Sequence, residues 1–177
     1  MYYKKIIGKK CYLSPIDTND YQKYTEWLND LSVLEYLTLA NINMTEDSEK
    51  KALENLSKEH NYAIIDIEKN ELIGNCGLTH VDDINRTAEI GIFIGNKNYW
   101  GKGFGTEAVT LLSDFSFHYL NLNNILLRVF DYNERAIKSY LKAGFKIIGK
   151  RRNAIERKQK KYDVIYMDLI PDELKKQ

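Results

Sequence analysis

Residues 99–108 read Tyr-Trp-Gly-Lys-Gly-Phe-Gly-Thr-Glu-Ala, with glycines at 101, 103 and 105. They follow an apolar strand pattern and precede an apolar helical one. Glycine has no Cβ, so the backbone can turn tightly there and lie against a ligand. A helix beginning at such a turn points unpaired N–H groups and a partial positive charge at whatever fills it. The chemistry this supports is anion binding, most naturally of phosphates. Two familiar phosphate motifs are excluded by spacing: the nucleotide P-loop needs G-x-x-x-x-G-K-[ST], and the dinucleotide fingerprint needs G-x-G-x-x-G. The observed G-x-G-x-G is a different cradle. A second chemical feature lies just upstream. Glu89 interrupts an apolar strand and points away from Ala88, Ile90 and Ile92. A carboxylate so placed has reason to hold a proton more tightly than usual, which suits it to accept one.

Those residues need elements to position them, and the hydrophobic periods predict which. Cys11–Ile16 reads as a short strand ended by Pro15 and Asp17. Asp20–Leu28 is a helix with Tyr21, Tyr24 and Leu28 on one face. Thr45–His60 is a second helix, capped by Thr45, with acids in its first turn. Tyr62–Ile67 and Leu72–Val81 form a hairpin across the polar turn Glu68–Glu71. Thr87–Ile94 is the strand before the glycine loop. Gly103–Tyr119 is the helix after it, with the stripe Ala108, Leu111, Leu112, Phe115 and Tyr119. Ile125–Phe130 is almost continuously apolar, as in a strand covered on both faces. Asn133–Ala143 is a helix closed by Gly144, and Phe145–Gly149 and Tyr162–Leu169 are the last strands. An antiparallel meander followed by strand–helix–strand–helix–strand predicts one mixed α/β sheet with helices on both faces.

Bulk composition narrows the function classes. The 177 residues suit one domain, 1–177, and 44% of them are apolar with only two prolines. Thirteen tyrosines can supply polar-tipped aromatics to a pocket. A net charge of +1 gives no global field toward nucleic acid or a membrane. Cys11 and Cys76 form no C-x-x-C pair, and His60, His80 and His118 are scattered, so no metal site is expected. No apolar run approaches the roughly 18 residues needed to span a bilayer. The expectation is a reduced, cytoplasmic protein.

With the loop placed between a strand and a helix, the chain resembles the GNAT superfamily of acyl-CoA-dependent N-acetyltransferases. It is most similar to the branch holding the ribosomal-protein N-terminal and spermidine acetyltransferases. The resembling blocks follow the family's order: Cys11–Ile16 with Asp20, Glu71–Leu78, Ala88–Ile92, Trp100–Ala108, Asn133–Phe145 and Tyr162–Asp168. Where the superfamily loop begins with Gln or Arg, Trp100 stands here. The resemblance implies a single domain, a mixed sheet of six to seven strands with about four helices, and a splay between the family's fourth and fifth strands. It also implies transfer of an acetyl group from acetyl-CoA to a primary amine by direct attack, without a metal.

The family's residue roles carry over position by position. Backbone amides of Gly101, Lys102, Gly103, Phe104, Gly105 and Thr106, with Trp100 beside them, would hold the pyrophosphate. Asn133 would bond the pantetheine arm while capping its helix. A backbone N–H near Phe93 or Ile94 would face the thioester carbonyl. Tyr140 would be the acid for the departing thiolate, since a phenol with pKa near 10 is protonated at neutral pH. Glu89, directly or through water, would be the base.

The acceptor side is less legible. Glu35 and Tyr36 fall in a segment that shapes this pocket in the family, with Trp27, Tyr99, Asp82 and Asp83 as further wall candidates. Lys150, Arg151, Arg152, Arg157, Lys158, Lys160 and Lys161 cluster between the last two strands, which would attract an acidic partner or simply be solvated. The acceptors expected are a protein N-terminus or a small-molecule amine. Polyamine or aminoglycoside acetylation is the alternative, and a non-catalytic acyl-CoA binding module is the rival of another class. A homodimer is compatible with the resemblance.

Overall fold

The computed structural model describes residues 1–38 and 42–175. Eight strands form one sheet in the order β1-β2-β3-β4-β5-β6-β8-β7. They are β1 (Ile6–Ile7), β2 (Cys11–Pro15), β3 (Asn61–Asp66), β4 (Leu72–Asp82), β5 (Thr87–Ile94), β6 (Asn124–Phe130), β7 (Lys146–Arg157) and β8 (Lys160–Leu169). The helices are α1 (Tyr21–Leu28), α2 (Leu31–Leu34), α3 (Glu46–Leu56), α4 (Phe104–His118) and α5 (Glu134–Ala143). β1 to β5 run antiparallel, β5 and β6 pair in parallel across α4, and β6–β8–β7 return to antiparallel. The mixed sheet expected from the strand pattern is present, with one more strand and one more helix than the upper counts.

Alternation along the strands separates two cores. Leu13, Ile64 and Ile73 join Ala108, Leu112, Ile125 and Leu127 beneath α4 and α5. Their neighbours Tyr12, Ala63, Ile65 and Leu72 join Tyr24, Trp27 and Leu53 beneath α1 and α3. Successive side chains of a strand point to opposite faces, so the central strands are covered on both.

Local chemistry fixes the ends of the helices. Thr45 and Ser48 form a reciprocal capping box at the start of α3. The Asn133 side chain accepts from Ala136 N at 3.2 Å at the start of α5, and Gly144 closes that helix. α4 differs: Gly103 is its N-cap, and no side chain caps it.

Several expectations change. β7 runs on through Arg157, so all of the basic residues but Lys158, which is in the turn, stand on the two strands of a long hairpin rather than in a loop. α3 ends at Leu56 instead of His60. Tyr119 is 78% exposed and stacks on Phe115 instead of completing the α4 stripe. Arg128 interrupts the apolar run of β6 and is exposed. Among the described residues no helix is long and apolar enough to cross a membrane.

Candidate active site

β5 and β6 begin together and then part. Thr87, Ala88 and Glu89 pair with Asn124, Ile125 and Leu126, and the register ends there. Beyond Glu89 the β6-facing backbone of β5 has no strand partner, so the N–H and C=O groups on that edge before Ile94 O are open to a ligand. The wedge opens into a cleft of about 840 Å³. Ile90–Ile94 form one wall and Arg128–Phe130 the other, with the glycine loop and α5 beside them.

The loop conformation accounts for its glycines. Gly101 and Gly103 have φ of +74° and +88°, a region costly to residues with a Cβ. A Cβ on Gly103 would also stand 3.1 Å from Lys10 Nζ. Space beside Gly101 is open, so the concave side of the loop can admit a ligand. The uncapped N-terminus of α4 points its orphan amides at this space. That arrangement fits the diphosphate of an acyl-CoA.

Side chains hold the loop in place. Trp100 Nε1 donates to Ile94 O at 2.7 Å, tying the loop entrance to the end of β5. Arg135 of α5 stacks over the Trp100 ring at 3.9 Å and over Tyr36 at 5.3 Å. Tyr99 is buried with its hydroxyl 2.8 Å from Asp66 Oδ2 and 2.9 Å from Glu71 Oε2. Burial, then these two carboxylates, raise its phenol, which keeps it a donor. The Glu107 carboxylate accepts from the backbone N–H groups of Lys9, Lys10 and Cys11 at 2.7–2.9 Å. It thereby locks the β1–β2 turn against the first turn of α4.

Of the residues singled out from the sequence, the cleft gathers Glu89, Phe93, Ile94, Trp100, Gly101, Gly103, Gly105, Thr106, Asn133, Tyr140 and Tyr36. Lys102 and Phe104 lie outside its lining. Lys102 is exposed, with its carbonyl accepting from Lys10 Nζ at 2.8 Å, and Phe104 packs edge-on against Tyr99. Glu35 also lies outside, exposed and 3.9 Å from Lys158 Nζ. Trp27 is core, packed edge-on against Tyr24 and Phe93. Asp82 is spent on its own turn, accepting from Ile84 and Asn85.

Tyr140 is half-buried on α5, and its hydroxyl bonds no described residue. Burial pushes its phenol up to about 12, with Arg135 pulling the other way. Glu89 lines the cleft and is ion-paired there. Arg128 Nε donates to Glu89 Oε1 at 2.5 Å, and His80 Nδ1 is 3.6 Å from Oε2. Sequence reasoning missed Arg128, Arg135, Lys138 and Lys142, which line the cleft with Arg151 of the basic cluster and outnumber its carboxylates Glu89 and Glu134. An excess of cations suits a polyanionic coenzyme. No periodicity marks them, because only the fold brings β6, α5 and β7 to one opening.

Known proteins resemble this chain in sequence and in fold. A Bacillus licheniformis protein described as an uncharacterized N-acetyltransferase p20 is 39% identical over 112 residues, which is 63% of this chain and 62% of that protein. Spermidine N(1)-acetyltransferase of Escherichia coli is 39% identical over 79 residues, 45% of this chain and 42% of that enzyme. The match thus spans roughly half the length of these curated relatives. A GNAT-family acetyltransferase from Bacillus anthracis superposes with a TM-score of 0.84 at 21% identity, covering 98% of this chain and all (100%) of that one. Spermidine N-acetyltransferase from Vibrio cholerae, solved with CoA and spermine, superposes at 0.83 with 23% identity, covering 94% and 98%. At such identity the two structures show a shared fold. The family described as acetyltransferase (GNAT) domain matches residues 10–146, and the chain belongs to it.

Proposed function

We propose that the protein, taken as one acyltransferase domain, moves an acetyl group from acetyl-CoA to a primary amine by direct attack. The observation that carries this reading is the continuity of the cleft. Uncapped amides at the start of α4 lead into the wedge between β5 and β6, and Tyr140 lines that same wedge. The names of the relatives, spermidine acetyltransferases among them, support a small-molecule amine as acceptor.

In this reading the glycine-loop amides bind the pyrophosphate, and Asn133 and the open edge of β5 align the pantetheine amides. The amine nitrogen bonds to the thioester carbonyl carbon and the C–S bond breaks. A backbone N–H at Phe93 or Ile94 donates to the oxygen that gains charge. The proton leaving the nitrogen goes to Glu89, directly or through water. The departing sulfur takes the Tyr140 proton, giving an N-acetyl amide and free CoA. A phenol raised to about 12 is fully loaded at neutral pH, though burial makes it a weaker acid. The Arg135 charge opposes that weakening.

Thiol release from acetyl-CoA with a panel of primary amines tests the reading. Amine-dependent thiol with the matching acetyl-amine product is the expected result. Tight CoA binding with no amine-dependent thiol would leave only an acyl-CoA binding module.

A further inference from the structure

A second cavity, of about 410 Å³, lies on the α1 and α3 side of the sheet and shares Gly91, Ile92 and Phe93 with the cleft. Leu28, Ala52 and Leu56 give it apolar walls. Into those walls α3 turns Glu49, which is 3% exposed and makes no side-chain hydrogen bond or ion pair with any described residue. Tyr24 and Asn61, 1% and 7% exposed, line the same space. Tyr24 Oη and Asn61 Nδ2 are buried without a partner among the described residues.

Three buried polar side chains without partners among the described residues are costly in one cavity, and an unpaired carboxylate is the costliest of them. Native interiors satisfy such groups unless a site needs them. A primary ammonium has three donors and no acceptor. The Glu49 carboxylate and the Tyr24 hydroxyl oxygen are the complementary acceptors. Burial raises the Glu49 carboxyl above its ordinary range, and a bound cation would reverse that. The attacking nitrogen cannot be this ammonium, because attack requires a neutral amine at the β5–β6 wedge. A second nitrogen of the same acceptor can be, because the cavity and the cleft share Gly91, Ile92 and Phe93.

We infer that this cavity holds the non-reacting ammonium of a diamine acceptor, with Glu49 as its counter-ion. The inference rests on the acetyltransferase reading and names its substrate class. One bare carboxylate takes one such cation, so the methylene-linked pair of nitrogens is the recognised unit.

The test compares cadaverine with pentylamine, which has the same carbon chain and one amine fewer. In the wild-type protein cadaverine should exceed pentylamine in kcat/KM by about tenfold or more, the usual worth of a hydrogen-bonded charge. Glu49→Gln should cut that ratio to within about threefold while leaving the melting temperature equal or higher, because an unpaired buried charge is removed. Equal use of both amines by the wild type, or a ratio unchanged in Glu49→Gln, overturns the inference. Thiol from other amines of the panel but from neither of these overturns the inference; if no primary amine releases thiol, the acetyltransferase reading fails separately. Calorimetry of cadaverine on the CoA-loaded protein then decides the site alone: binding lost in Glu49→Gln supports it, and no binding to the wild type refutes it.

Discussion

The glycine loop and the Glu49 cavity flank β5 from opposite faces of the sheet, and they are built from different materials. In the proposed reading the loop faces an anion with main-chain amides, positive φ angles at Gly101 and Gly103, and an uncapped helix end. The cavity faces a cation with side chains from α1, α3 and β3, set among apolar walls. Backbone recognition is stiff and tolerates changes of side chain, provided no Cβ intrudes. Side-chain recognition depends on single residues and can be retuned by one substitution. The difference assigns the invariable partner, a coenzyme, to the backbone side and the variable one, an acceptor, to the side-chain side.

Substitutions in the cleft sharpen that contrast. The largest effect is expected from Tyr140→Phe, which keeps the ring in its packing and removes one proton. Turnover should fall about 100-fold, within the usual range for a general acid, with CoA affinity unchanged by calorimetry. An unchanged kcat would remove Tyr140 from the mechanism. The same phenol sets a pH expectation. Its proton is present below about 12 and lost as pH rises through that value, so kcat should show no falling limb from Tyr140 below about pH 11. Next in size is Gly103→Val. Forcing a β-branched residue to φ +88°, with its Cβ against Lys10, should weaken CoA binding about tenfold or more. Smallest is Lys102→Ala in the same loop. Its exposed side chain lies outside the cleft, so affinity should change less than about threefold. If Lys102→Ala costs more than Gly103→Val, the site works through side chains and the contrast collapses.

The same contrast explains what the sequence revealed. Alternating glycines are a local pattern with a local cause, and so are the Asn133 cap and the Gly144 stop of α5. The long elements follow their hydrophobic periods closely. β1 has two residues and α2 four, too few for any period to register. The basic run Lys150–Lys161 looks like a loop because its hairpin is exposed along much of its length and carries little apolar alternation. Glu107 reads as an ordinary acid near a helix start, yet it binds three amides from a turn nearly a hundred residues away in sequence. Glu49 reads as another solvated acid in the first turn of α3. Its burial comes from the sheet beneath and from Tyr24, which no local pattern reports.

Residue-resolved amide exchange with and without CoA tests the central claim most directly. If the loop holds the diphosphate through its main chain, CoA should slow exchange at the amides of Gly101–Thr106 more than anywhere else in α4. Bound CoA with unchanged exchange at those amides would contradict it.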